Sequence, residues 1–116
     1  MSLLARVIEE THGDVVVALI DGEVDASNTQ EIGSRLRSAL SNRSTVLVVD
    51  MTETTYLDSA GINLMFELAA DLRERQQQLR LVVPDGAPIA RAIAITGLDA
   101  AVPTHGDRHT ALTAAR

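Results

Sequence analysis

The sequence has no cysteine, no tryptophan and no lysine, and its only aromatic residues are Tyr56 and Phe66. Without cysteine there are no disulfides, thiolate nucleophiles or cysteine-built zinc sites. That suits a cytoplasmic protein. Two aromatics leave almost no stacking platform for single-stranded nucleic acid. The formal net charge of −6 would repel phosphates, which argues against nucleic acid and anionic membrane surfaces as partners. Residues 1–10 carry Arg6, Glu9 and Glu10 and no apolar core of signal-peptide length. The most apolar longer stretch, residues 60–70, is broken by Asn63 and Glu67 and is too short to span a bilayer. The chain therefore reads as soluble and intracellular.

The 116 residues suit one domain over residues 1–116, and 46% hydrophobic content is enough for a core without metal or disulfide staples. Residues 3–10 read as an edge strand and residues 11–14 as a turn. Residues 15–20 form a continuous apolar, β-branched run, the pattern of a strand covered on both faces. Residues 21–28 read as a polar loop. Ile32, Leu36 and Leu40, with Ala39 beside them, make the stripe of a helix that Ser27 or Asn28 caps. Residues 46–49 form a second buried strand closed by Asp50, and residues 51–58 a threonine-rich loop. A helix follows from Ser59 to about Gln78. Residues 79–83 form a third buried strand. Pro88 suits the start of a helix that Gly97 ends. Residues 101–104 suit a last short strand, and residues 108–115 a terminal helix. The predicted order is β-β-α-β-α-β-α-β-α, an α/β fold whose mixed sheet is mostly parallel with an antiparallel first strand at an edge.

In such sheets, sites gather where strands end and helices begin. Two loops qualify, residues 22–28 and 50–61, and both open on one rim. Ser59 stands where loop becomes helix, where a serine can cap free N–H groups. Asp-Ser before an apolar helix is a common capping arrangement, and spacing alone favours that role. The same position suits a switch. A phosphate there would meet unpaired N–H donors and the positive end of the helix dipole. Beside Asp58, and near Glu23 and Asp25, its charge would repel a partner that accepts the neutral hydroxyl. Gly61 would let a partner's backbone approach.

The run Leu57-Asp58-Ser59-Ala60-Gly61-Ile62 after a buried strand resembles the signature of the STAS family, and more closely that of the bacterial anti-sigma factor antagonists. Gly22-Glu23-Val24-Asp25 resembles their second feature, and the likeness covers essentially the whole chain. The resemblance implies a STAS fold and a regulator rather than an enzyme. It implies that Ser59 is phosphorylated by an anti-sigma factor that is also a serine kinase, and that a metal-dependent serine phosphatase resets it. ATP then belongs to the kinase, and this chain needs no cofactor or metal. The unphosphorylated form would bind the kinase and free a sigma factor. The implied partner surface comprises Gly22, Glu23, Asp25, Ser27, Asn28, Asp58, Ser59, Ala60, Gly61 and Ile62, with Asp25 and Asp58 helping to dock the kinase. Asn63 departs from the pattern, standing where the family often has a second glycine.

Three other readings compete. Residues 46–50 resemble the strand of a phosphoacceptor receiver, but a receiver needs a lysine near its last strand and an acidic pair for magnesium. Asp50 reads better as a loop-fixing residue. A hydrolase built from Asp58, Ser59 and His105 or His109 lacks a Gly-x-Ser-x-Gly elbow. Those two histidines, and His12, read as exposed polar residues at a weakly structured end and in a turn. The third reading is a STAS subunit of another system, such as a lipid-transport complex or a stress-signalling scaffold.

Overall fold

The computed structural model describes residues 4–115. The buried valine-rich runs form the centre of one six-stranded sheet. Strand β2 (Val15–Val24) is flanked by β1 (Ala5–His12), antiparallel, and by β3 (Val46–Asp50), parallel. Beyond β3 lie β5 (Gln78–Val82) and β6 (Thr104–His105), both parallel. Strand β4 (Thr54–Leu57) pairs in parallel with the end of β2. The helices are α1 (Thr29–Ser38), α2 (Ser59–Glu74), α3 (Ala90–Thr96), α4 (Leu98–Ala101) and α5 (Arg108–Ala114). None of the described helices is long and apolar enough to cross a membrane.

Both sheet faces are covered, which explains strands without polar alternation. On one face Val16, Ala18, Ile20, Leu47, Val49, Leu79 and Leu81 pack under Ile32 and Leu36 of α1 and Ile62, Met65, Leu68 and Leu72 of α2. On the other, Val15, Val17, Val46, Val48 and Val82 pack under Ala111 and Leu112 of α5. The aliphatic core and antiparallel edge are as the sequence predicts.

The order differs from the predicted one by two elements. Residues 21–24 are strand, not loop, and residues 54–57 form β4 inside the expected threonine-rich loop. The cause is pairwise. Ladder β2–β3 ends at Leu19↔Asp50, so the rest of β2 has one edge open. The chain turns after β3, with Met51 O accepting from Thr54 N at 3.1 Å, and fills that edge by pairing Gly22 with Thr54 and Val24 with Leu57. Thr54, 1% exposed, donates its hydroxyl to the Ile20 carbonyl at 2.8 Å. Residues 21–24 have no strand signal of their own, and the β-prone Thr54, Thr55 and Tyr56 form a run too short to be told from a loop. The added α4 fills residues 98–101 and moves the last strand to Thr104–His105. Helix α2 stops at Glu74 because Gln76 adopts a left-handed φ of 60° and Gln78 joins the sheet. His12 belongs to β1, not to the turn. Leu3, expected in the first strand, lies outside the described residues.

Asp50 is 3% exposed and does fix its loop: it accepts from the Thr52 amide at 2.9 Å and from the Thr52 hydroxyl. Its other oxygen accepts from Arg108 Nε at 3.0 Å, which fastens α5 to the sheet. Arg108 also reaches Glu10 at 2.7 Å. His105 is not in a weakly structured end. It sits in β6 opposite Val82, with Nε2 3.1 Å from Arg80 Nη1. Burial, and then the Arg80 cation, hold its imidazole below the ordinary value, against the opposing pull of Asp107. His109 is exposed, as expected.

Gly22 sits at the register shift where β2 exchanges β3 for β4, with φ of 129°. A Cβ there would lie 2.0 Å from the Leu4 carbonyl oxygen, a backbone atom that cannot move aside. Gly22→Ala is expected to cost about 3 kcal/mol or more, read as a lowered urea midpoint at unchanged slope.

Candidate functional site

The extension of β2 and the pairing of β4 bring the two rim loops together. Within residues 22–28, Asp25 accepts from Ser27 through both the Ser27 amide, at 2.8 Å, and its hydroxyl. Asn28 stands at the N-cap position of α1, but its side chain caps no amide of that helix. It is 2% exposed, donates to the Glu23 carbonyl at 2.8 Å and accepts from the Asp25 amide at 2.9 Å. The loop is therefore held by its own polar side chains, as turns commonly are.

Asp58 joins this loop to the other. One carboxylate oxygen accepts from the Gly61 amide at 3.0 Å, the N-cap bond of α2. The other accepts from the Ala26 amide at 3.2 Å, across 32 residues of sequence. Ser59 is the first residue of α2, not its cap. Its side chain is exposed, and its hydroxyl has no hydrogen-bond partner among the described residues. The Ser59 and Ala60 amides likewise find no acceptor among them, as expected for the first turn of a helix.

The structure divides the implied surface in two. Glu23, Ser27, Ser59 and, in part, Asp25, Asp58 and Ala60 reach the surface of the rim. Asn28, Gly61 and Ile62 are buried, and Gly22 is spent on the register shift. Gly61 was expected to admit a partner's backbone. Its reason is internal: a Cβ would stand 2.5 Å from Leu57 Cδ1 and 3.1 Å from Val24 Cγ1. Ile62, 4% exposed, belongs to the core. These four shape the rim and offer it no side chain.

Two features escape the sequence reading. Tyr56 is 49% exposed on β4, three residues before Ser59. Its neighbours in sequence look like loop, so nothing there marks it as presented. A groove of about 420 Å³ also runs beside Ser59 between α1 and α2, lined by Gln30, Ala60, Asn63, Leu64 and Glu67 among others. Asn63 and Glu67, one helical turn apart and both exposed, were the available signal. The Arg37–Asp71 ion pair, 3.0 Å, bridges the same two helices.

Hydrogen bonds from the Ser27 hydroxyl, then from the Ser27 amide, hold the Asp25 carboxyl below its ordinary value. A depressed carboxyl favours the folded loop above the ordinary carboxylate range, and that contribution is lost as pH falls through the lowered value. Ser27→Ala is expected to raise the Asp25 midpoint in an NMR titration. Asp58→Ala removes a cap and an inter-loop tie and should cost about 1–2 kcal/mol in urea unfolding. Ser59→Ala should stay within about 0.5 kcal/mol of wild type, since its hydroxyl bonds to nothing in the fold. A larger loss for Ser59→Ala than for Asp58→Ala would reverse the assignment of the cap.

Residues 6–111 match the family model of the STAS domain. The anti-sigma-B factor antagonist of Listeria monocytogenes serovar 1/2a is 31% identical over 74 residues, 64% of this chain. The match spans 65% of that relative, a little under two thirds of its length. The fold superposes on the crystal structure of an anti-sigma factor antagonist from Mycobacterium paratuberculosis with a TM-score of 0.86 at 25% identity, covering 97% of this chain and 94% of that one. It also superposes on the phosphorylated form of the Bacillus cell fate determinant SpoIIAA, with a TM-score of 0.67 at 18% identity, covering 96% of this chain and 100% of that one. This last likeness is one of fold alone. With the sheet order, the capped α2 and a family match over nearly its whole length, the chain belongs to the STAS-domain family.

Proposed function

We propose that this chain is an anti-sigma factor antagonist whose docking to an anti-sigma factor with serine kinase activity is switched at Ser59. The observation that carries the reading is the Ser59 hydroxyl, exposed at the first position of α2 on the tied rim and free of hydrogen bonds to described residues. The likeness to the Listeria anti-sigma-B factor antagonist and to the mycobacterial anti-sigma factor antagonist supports the antagonist role. The hydroxyl can leave the fold's bonding unchanged when modified, because Asp58 already caps the helix.

In this reading the partner supplies ATP and this chain performs no catalysis. The Ser59 oxygen attacks the γ-phosphorus, ADP leaves, and the hydroxyl proton passes to solvent or to a base of the kinase. The phosphoserine gains roughly −1.5 to −2 charges at neutral pH. The nearby Ser59 and Ala60 amides and the helix dipole favour the phosphate, so the fold tolerates it. The cost falls on the interface, where phosphate joins Glu23, Asp25 and Asp58 on one acidic rim. A partner that accepts the neutral hydroxyl is then repelled. A metal-dependent serine phosphatase would restore the binding form, and a freed sigma factor is the output.

The test is intact-protein mass after incubation with ATP and the host's candidate anti-sigma kinase. Wild type should gain one phosphate and Ser59→Ala none. In calorimetric titrations Ser59→Ala should bind the kinase as unmodified wild type does, and Ser59→Asp at least about tenfold more weakly. Equal affinities for the two variants would remove the switch. Asp25→Ala should weaken docking while the domain stays folded. A stable complex without phosphate gain would mean an unregulated binder, and neither complex nor phosphate would favour a STAS subunit of another system such as lipid transport.

A further inference from the structure

The outer edge of β1 is unpaired among the described strands, since the sheet order begins at β1. Its backbone direction follows from the register. Leu4 O accepts from Glu23 N at 2.8 Å, so the even residues form the hydrogen-bonded pairs with β2. The N–H and C=O groups of Ala5, Val7, Glu9 and Thr11 therefore point outward. Arg35 of α1 donates to the Val7 carbonyl at 3.3 Å, which agrees with that direction. An outward row of this length is a template for a further strand.

Natural edges are commonly guarded by charge. Here the charges are mixed in sign and symmetric about one residue. Arg6 and Glu10 lie two positions either side of Ile8, on the same face of the strand. Ile8 is 46% exposed, one of few large apolar side chains so exposed, and lies opposite Leu19 on β2. α5 packs on Val15 and Val17 of that sheet face and leaves Ile8 uncovered.

We propose that β1 pairs antiparallel with β1 of a second copy of this chain, centred on Ile8, so that one sheet continues through two molecules. In that register Ile8 meets Ile8 of the other copy. Arg6 stands opposite Glu10 and Glu10 opposite Arg6. Val7 pairs with Glu9 and Ala5 with Thr11 through their outward backbone groups. The neighbouring symmetric registers are worse. Centring on Glu9 sets Glu9 against Glu9 and Arg6 against His12; centring on Val7 sets Arg6 against Ile8. Opposite charges across a ladder stabilise it and like charges do the reverse.

Existing contacts adapt to this arrangement. Arg6 lies 3.0 Å from Asp21, and Glu10 lies 2.7 Å from Arg108 and 3.4 Å from His12, all at exposed or half-exposed side chains. Arg35, 4.0 Å from Glu9, gives up one exposed bond to Val7 and stands near Glu9 of the other copy, which faces Val7. The antiparallel two-fold also points the two Ser59 rims in opposite directions, so both stay open.

The absence of cysteine makes a direct test simple, because Ile8→Cys carries the sole thiol of the chain. Cα atoms directly opposite in a pair without ladder hydrogen bonds lie about 4.5 Å apart, within disulfide range. Under mild oxidation Ile8→Cys should form at least about tenfold more cross-linked dimer than Ile95→Cys, whose site is 72% exposed on α3. Sedimentation equilibrium of wild type at low salt should move from one chain to two as concentration rises. Arg6→Glu should shift it back to one, and Arg6→Glu combined with Glu10→Arg should restore two. A wild type that stays monomeric, with Ile8→Cys cross-linking no faster than Ile95→Cys, overturns the proposal. So does a dimer indifferent to the charge swap, since it would use another surface.

Discussion

The carboxylate of Asp58 is the joint on which the rim depends. One oxygen closes the first turn of α2 on the Gly61 amide and the other holds the Ala26 amide of the loop before α1. Two strand-to-helix connections, separated in sequence by α1, β3 and β4, become one surface. A hydrogen bond that a backbone amide donates to an ionised carboxylate is about twice as strong as a neutral one. Because Asp58 occupies the capping role, Ser59 is relieved of it. Ser59 can be modified with every bond of the fold intact.

The neighbouring residues explain why this joint is well placed. Leu57 and Val24 pack against the space that a side chain at position 61 would fill, so Gly61 draws α2 down onto the end of β2. Thr54 and Asn28, both nearly inaccessible, anchor the returning strand and the first loop to backbone carbonyls. These buried polar groups are satisfied, as such groups need to be. The rim thus rests on strands and a capped helix, the supports that hold a binding geometry better than free loops.

Charge is distributed with the same economy. Asp25 and Asp58 are rim carboxylates, yet both spend oxygens on backbone amides, Asp25 within its own loop and Asp58 on its helix and on the facing loop. Their first effect is on the shape of the rim. Glu23, exposed beside them, has no such duty. On the opposite sheet face Asp50 and Arg108 pin α5, so an acid that resembles a phosphoacceptor at the end of its strand is instead buried in an ion pair.

The sequence by itself determined the α/β class, the three buried strands, the aliphatic core, the helix beginning at Ser59 and the pairing of two motifs on one rim. Those follow from local quantities: apolar runs, helical periodicity, turn residues and a family signature. Tertiary structure alone decided that residues 21–24 and 54–57 are strands, since residues 21–24 are held between β1 and β4 and residues 54–57 by the end of β2. It decided that the carboxylate capping α2 also ties the facing loop, because that bond depends on where Ala26 lies in space. It also separated residues whose side chains reach the surface of the rim from those that shape it. Gly61 and Ile62 belong to the same motif as Ser59 and Asn28 to the facing loop, but burial is set by what the rest of the chain packs against them.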